Sequence, residues 1–223
     1  MLAGAAWSTL LAVARLALVP HAAIAQDAPE GEPFAAKDVV KLAEELATRD
    51  FERPVVEAAE PFNALTTAQY RDIRFRPEQA LWQSERLGVE VHPLPRGWIY
   101  ETPVVIRVVE DGKARRLVAD SRLFTFGPTI NAAPEAAPYA FSGFRLAGPL
   151  NRGDRNDEFA VFQGASYFRA VGRGQSYGLS ARGLAVNTAQ PAGEEFPIFR
   201  AFWIEKPRTA DADVVVHALL DSP

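Results

Sequence analysis

Cysteine is absent from all 223 residues. That excludes disulfides and thiolate chemistry, and says nothing by itself against an oxidising compartment. Histidine is nearly as scarce. Of the three present, His21 sits in an N-terminal apolar run, and His92 and His217 lack ligand spacing. A histidine metal site and a serine triad are both disfavoured. Runs of Lys and Arg are missing and the net charge is −4, which argues against a nucleic-acid partner. No cofactor loop is found. In Gly172-Arg173-Gly174-Gln175-Ser176-Tyr177-Gly178 the third glycine falls one place late for a dinucleotide fingerprint, and no helical pattern follows. Gly178–Gly183 likewise misses the nucleophile elbow. The chain therefore reads as cofactor-free and metal-free. It also lacks a membrane-spanning run, because Arg15 and Pro20 interrupt the long apolar stretch.

What is present is an ordinary globular composition, 48% apolar and 23% charged, with a length that supports a sizeable core. The first 25 residues contain no acid and end in Ala23-Ile24-Ala25 before Gln26, the pattern of an export leader. Residues 26–61 read as a polar linker and a helix. Within Phe34–Thr48, Val39, Leu42, Ala43 and Leu46 recur at helical spacing, and Arg53-Pro54 ends the run. Tyr70–Phe75 reads as a strand, and Pro77–Trp82 as a helical turn with proline placed early. From Gly88 onward the pattern is β. Asp111-Gly112 between Val104–Val109 and Arg115–Ala119 is a hairpin signal. Short runs follow at Leu123–Phe126, Phe144–Leu146, Phe159–Gln163, Tyr167–Val171, Leu184–Val186, Ile198–Ile204 and Val214–Leu220. Ala132–Pro138 is a Pro/Ala loop. Regular short strands without helical partners predict a mainly β sandwich or barrel preceded by a short helix. Val214–Leu220, apolar and β-prone, reads as a segment with little following it to pair or shield it.

The densest polar chemistry lies in Gly164–Ile204. Tyr167 and Tyr177 offer rings, Arg169 and Arg182 offer forked donors, and Glu194 and Glu195 offer acceptors. Rings against C–H faces and forks against hydroxyls suit a polyhydroxylated ligand. These six residues are the candidate substrate contacts. In Tyr167–Ala170, period-2 alternation puts Tyr167 and Arg169 on one face and Phe168 and Ala170 on the other. The competing reading is a core strand with arginine at its edge. Carboxylates that could serve glycoside hydrolysis are Asp154, Asp157, Glu158, Glu194, Glu195 and Asp221. Adjacent Glu194 and Glu195 can share a cleft only if they sit in a loop. Their plainer use is to pair with Arg182, Arg200 and neighbours at loop ends, and that of Asp157-Glu158 is to organise a turn. Trp82, Trp98 and Trp203 read as core anchors. No catalytic residue is assigned.

Several stretches carry a resemblance: YRDIRFRPEQALW (Tyr70–Trp82), YETPVVIRVV (Tyr100–Val109), FSGFRL and PLN within Phe141–Asn151, NDEFAVFQGASYFRA (Asn156–Ala170), YGLSARGLA (Tyr177–Ala185), GEEFPIFRAFWIEKP (Gly193–Pro207) and HALLDSP (His217–Pro223). Together they resemble the periplasmic glucan biosynthesis proteins of the OpgG/OpgD (MdoG/MdoD) type, from about Phe62 onward. The resemblance implies that residues 62–223 are the N-terminal part of a large galactose-mutarotase-like β-sandwich. It places the rest of the sandwich, a small immunoglobulin-like domain and the catalytic carboxylates beyond this chain. It further implies a periplasmic location and a β-1,2-linked glucan as partner, with some members resembling inverting β-1,2-glucanases. No stable membrane insertion follows leader removal, and assembly with further copies is left open. Two other readings stand beside it: a non-catalytic carbohydrate-binding module, and a non-functional fragment of a longer protein.

Overall fold

A computed structural model describes residues 31–56, 64–130, 140–210 and 213–223. The expected leader 1–25, the Ala132–Pro138 loop and the boundary near Phe62 lie outside these residues. In chain order the elements are β1 (Glu32–Pro33), α1 (Ala36–Leu46), α2 (Thr67–Asp72), β2 (Ile73–Phe75), β3 (Glu90–Pro95), β4 (Val105–Glu110), β5 (Lys113–Arg116), β6 (Phe124–Phe126), β7 (Phe141–Gly148), β8 (Asp157–Gln163), β9 (Tyr167–Ala170), β10 (Ala181–Arg182), β11 (Ile198–Glu205) and β12 (Val216–Asp221). The first sheet has five strands in the order β1-β5-β4-β11-β12, and the second has five in the order β10-β9-β8-β7-β3. A ribbon of β2 and β6 is hydrogen-bonded to neither but shares their core through Ile73, Phe75 and Phe124. The fold is the expected mainly β sandwich with a short N-terminal helix.

The sheets meet on alternate residues of their strands. Ile106 and Val108 of β4, Phe202 and Ile204 of β11, and Phe144 and Leu146 of β7 belong to one buried cluster. Phe144 stacks on Phe162 at 5.0 Å and meets the edge of Phe202 at 4.9 Å, while Phe162 stacks on Phe168 at 5.3 Å. These rings lock the central strands of the two sheets together.

On the far face of the first sheet, α1 supplies a second layer. Phe34, Val39 and Leu46 pack on Val109, Ala201, Trp203 and Leu219. Phe34 stacks on Trp203 at 5.9 Å, and the Arg107 guanidinium lies 5.0 Å from the Trp203 ring. Strand β11 is therefore covered on both faces, which explains its nearly continuous apolar sequence. Strand β12 pairs along its length with the preceding β11 and lies in contact with α1, and it ends its sheet, so no strand pairs with its other edge among the described residues.

Local chemistry accounts for the other differences. Tyr70–Phe75 is a strand only in its second half. Thr66 caps α2: the Gln69 amide donates to Thr66 Oγ1 at 3.3 Å, and the Thr66 amide donates to Gln69 Oε1 at 2.9 Å. Leu184–Val186 forms no strand; only Val186 bridges, to Glu195, while β10 lies earlier. Strand β3 contains Pro93 and Pro95 and sits at the sheet edge, where missing donors are tolerated. The Asp111-Gly112 hairpin forms as expected, with φ of 49° and 74°. Trp82 and Trp203 are core residues and Trp98 packs partly buried against the core.

Two substitutions should show what the sandwich depends on. Phe202→Ala removes the ring shared by both sheets and should cost about 3–5 kcal/mol. At Gly143 an added Cβ would drive into the Phe162 carbonyl oxygen across the β7–β8 pair. Gly143→Ala should therefore lower stability by about 1–3 kcal/mol. Denaturant unfolding of both variants checks these values.

Candidate functional site: the open face of the second sheet

The inward rings fix what points outward. Because Phe162 and Phe168 face the core, Val161 and Gln163 of β8, and Tyr167 and Arg169 of β9, face away from it. Cross-strand register then assembles rows. His92 of β3 stands opposite Arg145 of β7, Arg145 opposite Val161, and Val161 opposite Arg169. Ala147 stands between Glu90 and Glu158 in the next row. Arg182 pairs with Tyr167, and its guanidinium lies 5.1 Å from the tyrosine ring.

The expected contacts distribute as follows. Tyr167, Arg169 and Arg182 share this face. Tyr177 joins them from the loop after β9: burial, then the charge of Glu158 and a hydrogen bond to it, push its hydroxyl pKa up. Arg169 Nε donates to Ser180 Oγ at 2.8 Å, which orients the fork. Glu194 is ion-paired with Arg182. Glu195 turns elsewhere, accepting from Asn187 Nδ2 at 2.9 Å and from Ser222 Oγ at 3.0 Å. Glu194 and Glu195 do sit outside the named strands, as a shared loop required, yet their side chains have separate partners. Of the other carboxylates, Asp157 pairs with Arg155 and Asp221 lies 3.5 Å from Arg200.

Several members of this face carried no signal of function in the linear sequence. Glu90 and His92 are buried together, with His92 Nε2 3.0 Å from Glu90 Oε2. Asn156 Nδ2 donates to the other Glu90 oxygen at 2.7 Å, and the Phe75 ring stacks on the imidazole at 5.1 Å. Burial lowers the His92 pKa, with Arg145 adding to the effect, although Glu90 opposes it. Arg145 Nη1 reaches Glu158 at 3.5 Å. Two buried donors or acceptors here, His92 Nδ1 and Arg145 Nε, have no hydrogen-bond partner among the described residues. Such atoms are costly unless something satisfies them.

A cleft of about 460 Å³ opens beside this row, lined by Tyr70, Arg71, Arg74, Leu94, Arg145 and Gln163 among others. Its Tyr70 wall is rigidly held. Tyr70 donates to the Pro95 carbonyl at 3.0 Å and accepts from Gln163 Nε2 at 2.8 Å. Burial pushes the Tyr70 pKa up to about 12, so the hydroxyl is a neutral hydrogen-bonding group at physiological pH. A second opening of about 480 Å³, near Val104, Leu117 and Phe141, has a mostly aliphatic lining with no comparable polar row.

Chemically the face combines paired carboxylates with forked donors and tyrosine rings. Glu90, Glu158 and Glu194 are each engaged by a cation or a donor. Forked donors beside tyrosine rings remain, and these suit hydroxyl-rich chains.

Known proteins resemble this chain in sequence. Residues 34–223 match the family model described as "Periplasmic glucan biosynthesis protein, MdoG". A "Glucans biosynthesis protein G" of Rhodopseudomonas palustris is 47% identical over 184 residues, covering 82% of this chain and 36% of the relative. That of Bradyrhizobium diazoefficiens is 45% identical over 212 residues, covering 95% and 42%. That of Shewanella frigidimarina is 45% identical over 194 residues, covering 85% and 34%. The chain thus spans only 34–42% of the length of these relatives. With a family model spanning most of its length and relatives of this identity, the chain belongs to the MdoG family of periplasmic glucan biosynthesis proteins.

Proposed function

We propose that this chain supplies one wall of a glucan-binding cleft in a periplasmic protein of osmoregulated glucan biosynthesis, and that the wall holds a β-1,2-linked backbone. The observation that carries this reading is the convergence of Tyr167, Arg169, Tyr177 and Arg182 on one open sheet face. Tyrosine rings meet sugar C–H patches, and arginine forks meet hydroxyls. Glu194 acts through Arg182, holding its guanidinium beside the Tyr167 ring. Glu195 belongs to the same loop and helps to set its course through Asn187 and Ser222. Family membership supports the glucan and the periplasm. Among the described residues no helix is long and apolar enough to cross a membrane.

The domain division follows the same reading: a leader over residues 1–25, a linker and helix over 26–61, and the glucan-processing sandwich from 62 onward. If the intact protein hydrolyses glucan, an acid carboxyl protonates the glycosidic oxygen and a base-activated water attacks from the opposite side. Those two carboxyls come from outside this chain, and the present face orients the substrate for them. The engagement of Glu90, Glu158 and Glu194 also favours a second reading, a binding wall without chemistry of its own.

Calorimetric titration of the intact protein with linear β-1,2-glucan tests the wall. Arg169→Ala and Arg182→Ala should each weaken binding about tenfold to a hundredfold, the loss of a charge-assisted hydrogen bond. Unchanged affinity in a folded Arg182→Ala protein would return Arg182 to a purely structural role. Export is checked separately: N-terminal sequencing of the periplasmic fraction should find a chain starting near Gln26, and retention of Met1–Ala25 in the cytoplasm would defeat it.

A further inference from the structure

Two aromatic side chains differ from all the others in their exposure. Among the described residues, Tyr177 and Phe196 are the most exposed rings, at 38% and 49%. Tyr177 stands among the expected contacts. Phe196 was not marked out by residue order, yet it lies beside the same polar groups. Its ring centre is 5.6 Å from the Arg182 guanidinium, which also lies 5.1 Å from the Tyr167 ring. Arg182 is further ion-paired with Glu194, and its side chain is left only 26% exposed. The guanidinium is thus held by two rings and a carboxylate, while one of those rings remains half open to solvent. Phe196 sits in the loop between β10 and β11. That loop is anchored on both sides of the ring. Before it, the Glu195 amide donates to the Val186 carbonyl at 3.2 Å, and the Glu195 carboxylate accepts from Asn187 and Ser222. After it, Pro197 is fully buried. A residue preceding proline is confined to extended backbone. The exposed ring therefore projects from a fixed segment.

A large apolar ring exposed beside forked donors calls for a partner with an apolar face and a polar rim. A β-linked glucosyl ring has that shape. Its hydroxyls are equatorial and its ring C–H bonds axial, so each flat face is apolar and the edge carries the hydroxyls. Laid on Phe196, the face meets the phenyl ring while the edge reaches the Arg182 fork beside it. We propose that Phe196 is a stacking platform for one glucosyl ring, a further binding residue of the wall. The proposal rests on the glucan reading of the sheet face and deepens it. Arg182 reads hydroxyls, and Phe196, which offers no hydrogen bond, reads the C–H face. A pyranose with an axial hydroxyl on that face would stack less well. Because the loop is already anchored, little ordering opposes the contact.

The test is a calorimetric titration of the intact protein with linear β-1,2-glucan. Phe196→Ala should weaken binding about twofold to tenfold, the range of a stacked ring pair. Phe196→Leu keeps an apolar side chain and loses the ring, and should weaken binding as much. Phe196→Tyr and Phe196→Trp should keep the wild-type affinity. Should truncation to alanine disturb the loop, the leucine and tyrosine variants decide alone. A double variant, F196A with R182A, separates contact with the glucan from support of the fork. Losses that add to those of R182A place Phe196 on the sugar. A double variant no weaker than R182A alone would place it behind Arg182 and overturn the proposal. Wild-type affinity in F196A or F196L would overturn it as well, and each of these outcomes leaves the glucan reading standing. If the wild type binds no glucan, that reading fails and the platform falls with it.

Discussion

The stack of Phe144, Phe162 and Phe168, capped edge-on by Phe202, is the constraint on which the molecule turns. It joins β7, β8 and β9 of one sheet to β11 of the other. Because side chains alternate along a strand, it also dictates which residues face out. A one-residue slip of β9 would turn Arg169 into the core and Phe168 into water. Burying an unpaired guanidinium is far costlier than any local gain, so the register is strongly specified. The core therefore positions the polar face without touching it.

On that face, fixed and available groups are kept apart. Glu90 is held by His92 and Asn156, Glu158 by Arg145, and Glu194 by Arg182. Tyr70, Gln163 and Ser142 form a small network closing on the Pro95 carbonyl. These contacts hold the side chains in place, an arrangement that would lower the ordering cost of the proposed binding. The opposite face of the molecule has a different use. There α1 lies over Trp203 and Leu219 and adds to the core.

Much of this was legible from residue order. The Asp111-Gly112 turn, the helix built on Val39 and Leu46, and the outward pairing of Tyr167 with Arg169 all follow from local chemistry. The capping role of Thr66 and Gln69 was also written locally, in the Thr-x-x-Gln spacing, and was masked by the β-prone Tyr-Arg-Asp-Ile-Arg-Phe run. Period-2 reading of Glu90-Val91-His92 could have put both polar residues on one side, but two prolines weakened the strand signal. What no local pattern could show is partnership across the fold. Glu90 meets Asn156, and Arg145 meets both His92 and Glu158, only after three strands have aligned. The separate fates of Glu194 and Glu195 were undecidable for the same reason. One faces a strand that precedes it, the other the residues that end the chain.

Taken together, these features describe a wall: an aromatic core fixes the register, the register sets out rings and forked donors, and buried pairs hold them still. Hydrogen–deuterium exchange of the intact protein, with and without linear β-1,2-glucan, tests this account most directly. Glucan should slow amide exchange across residues 164–183 and 70–75, where the face and the cleft meet, and leave Ala36–Leu46 on the opposite side unchanged. Protection confined to Ala36–Leu46 and its neighbours, with residues 164–183 exchanging as before, would contradict it.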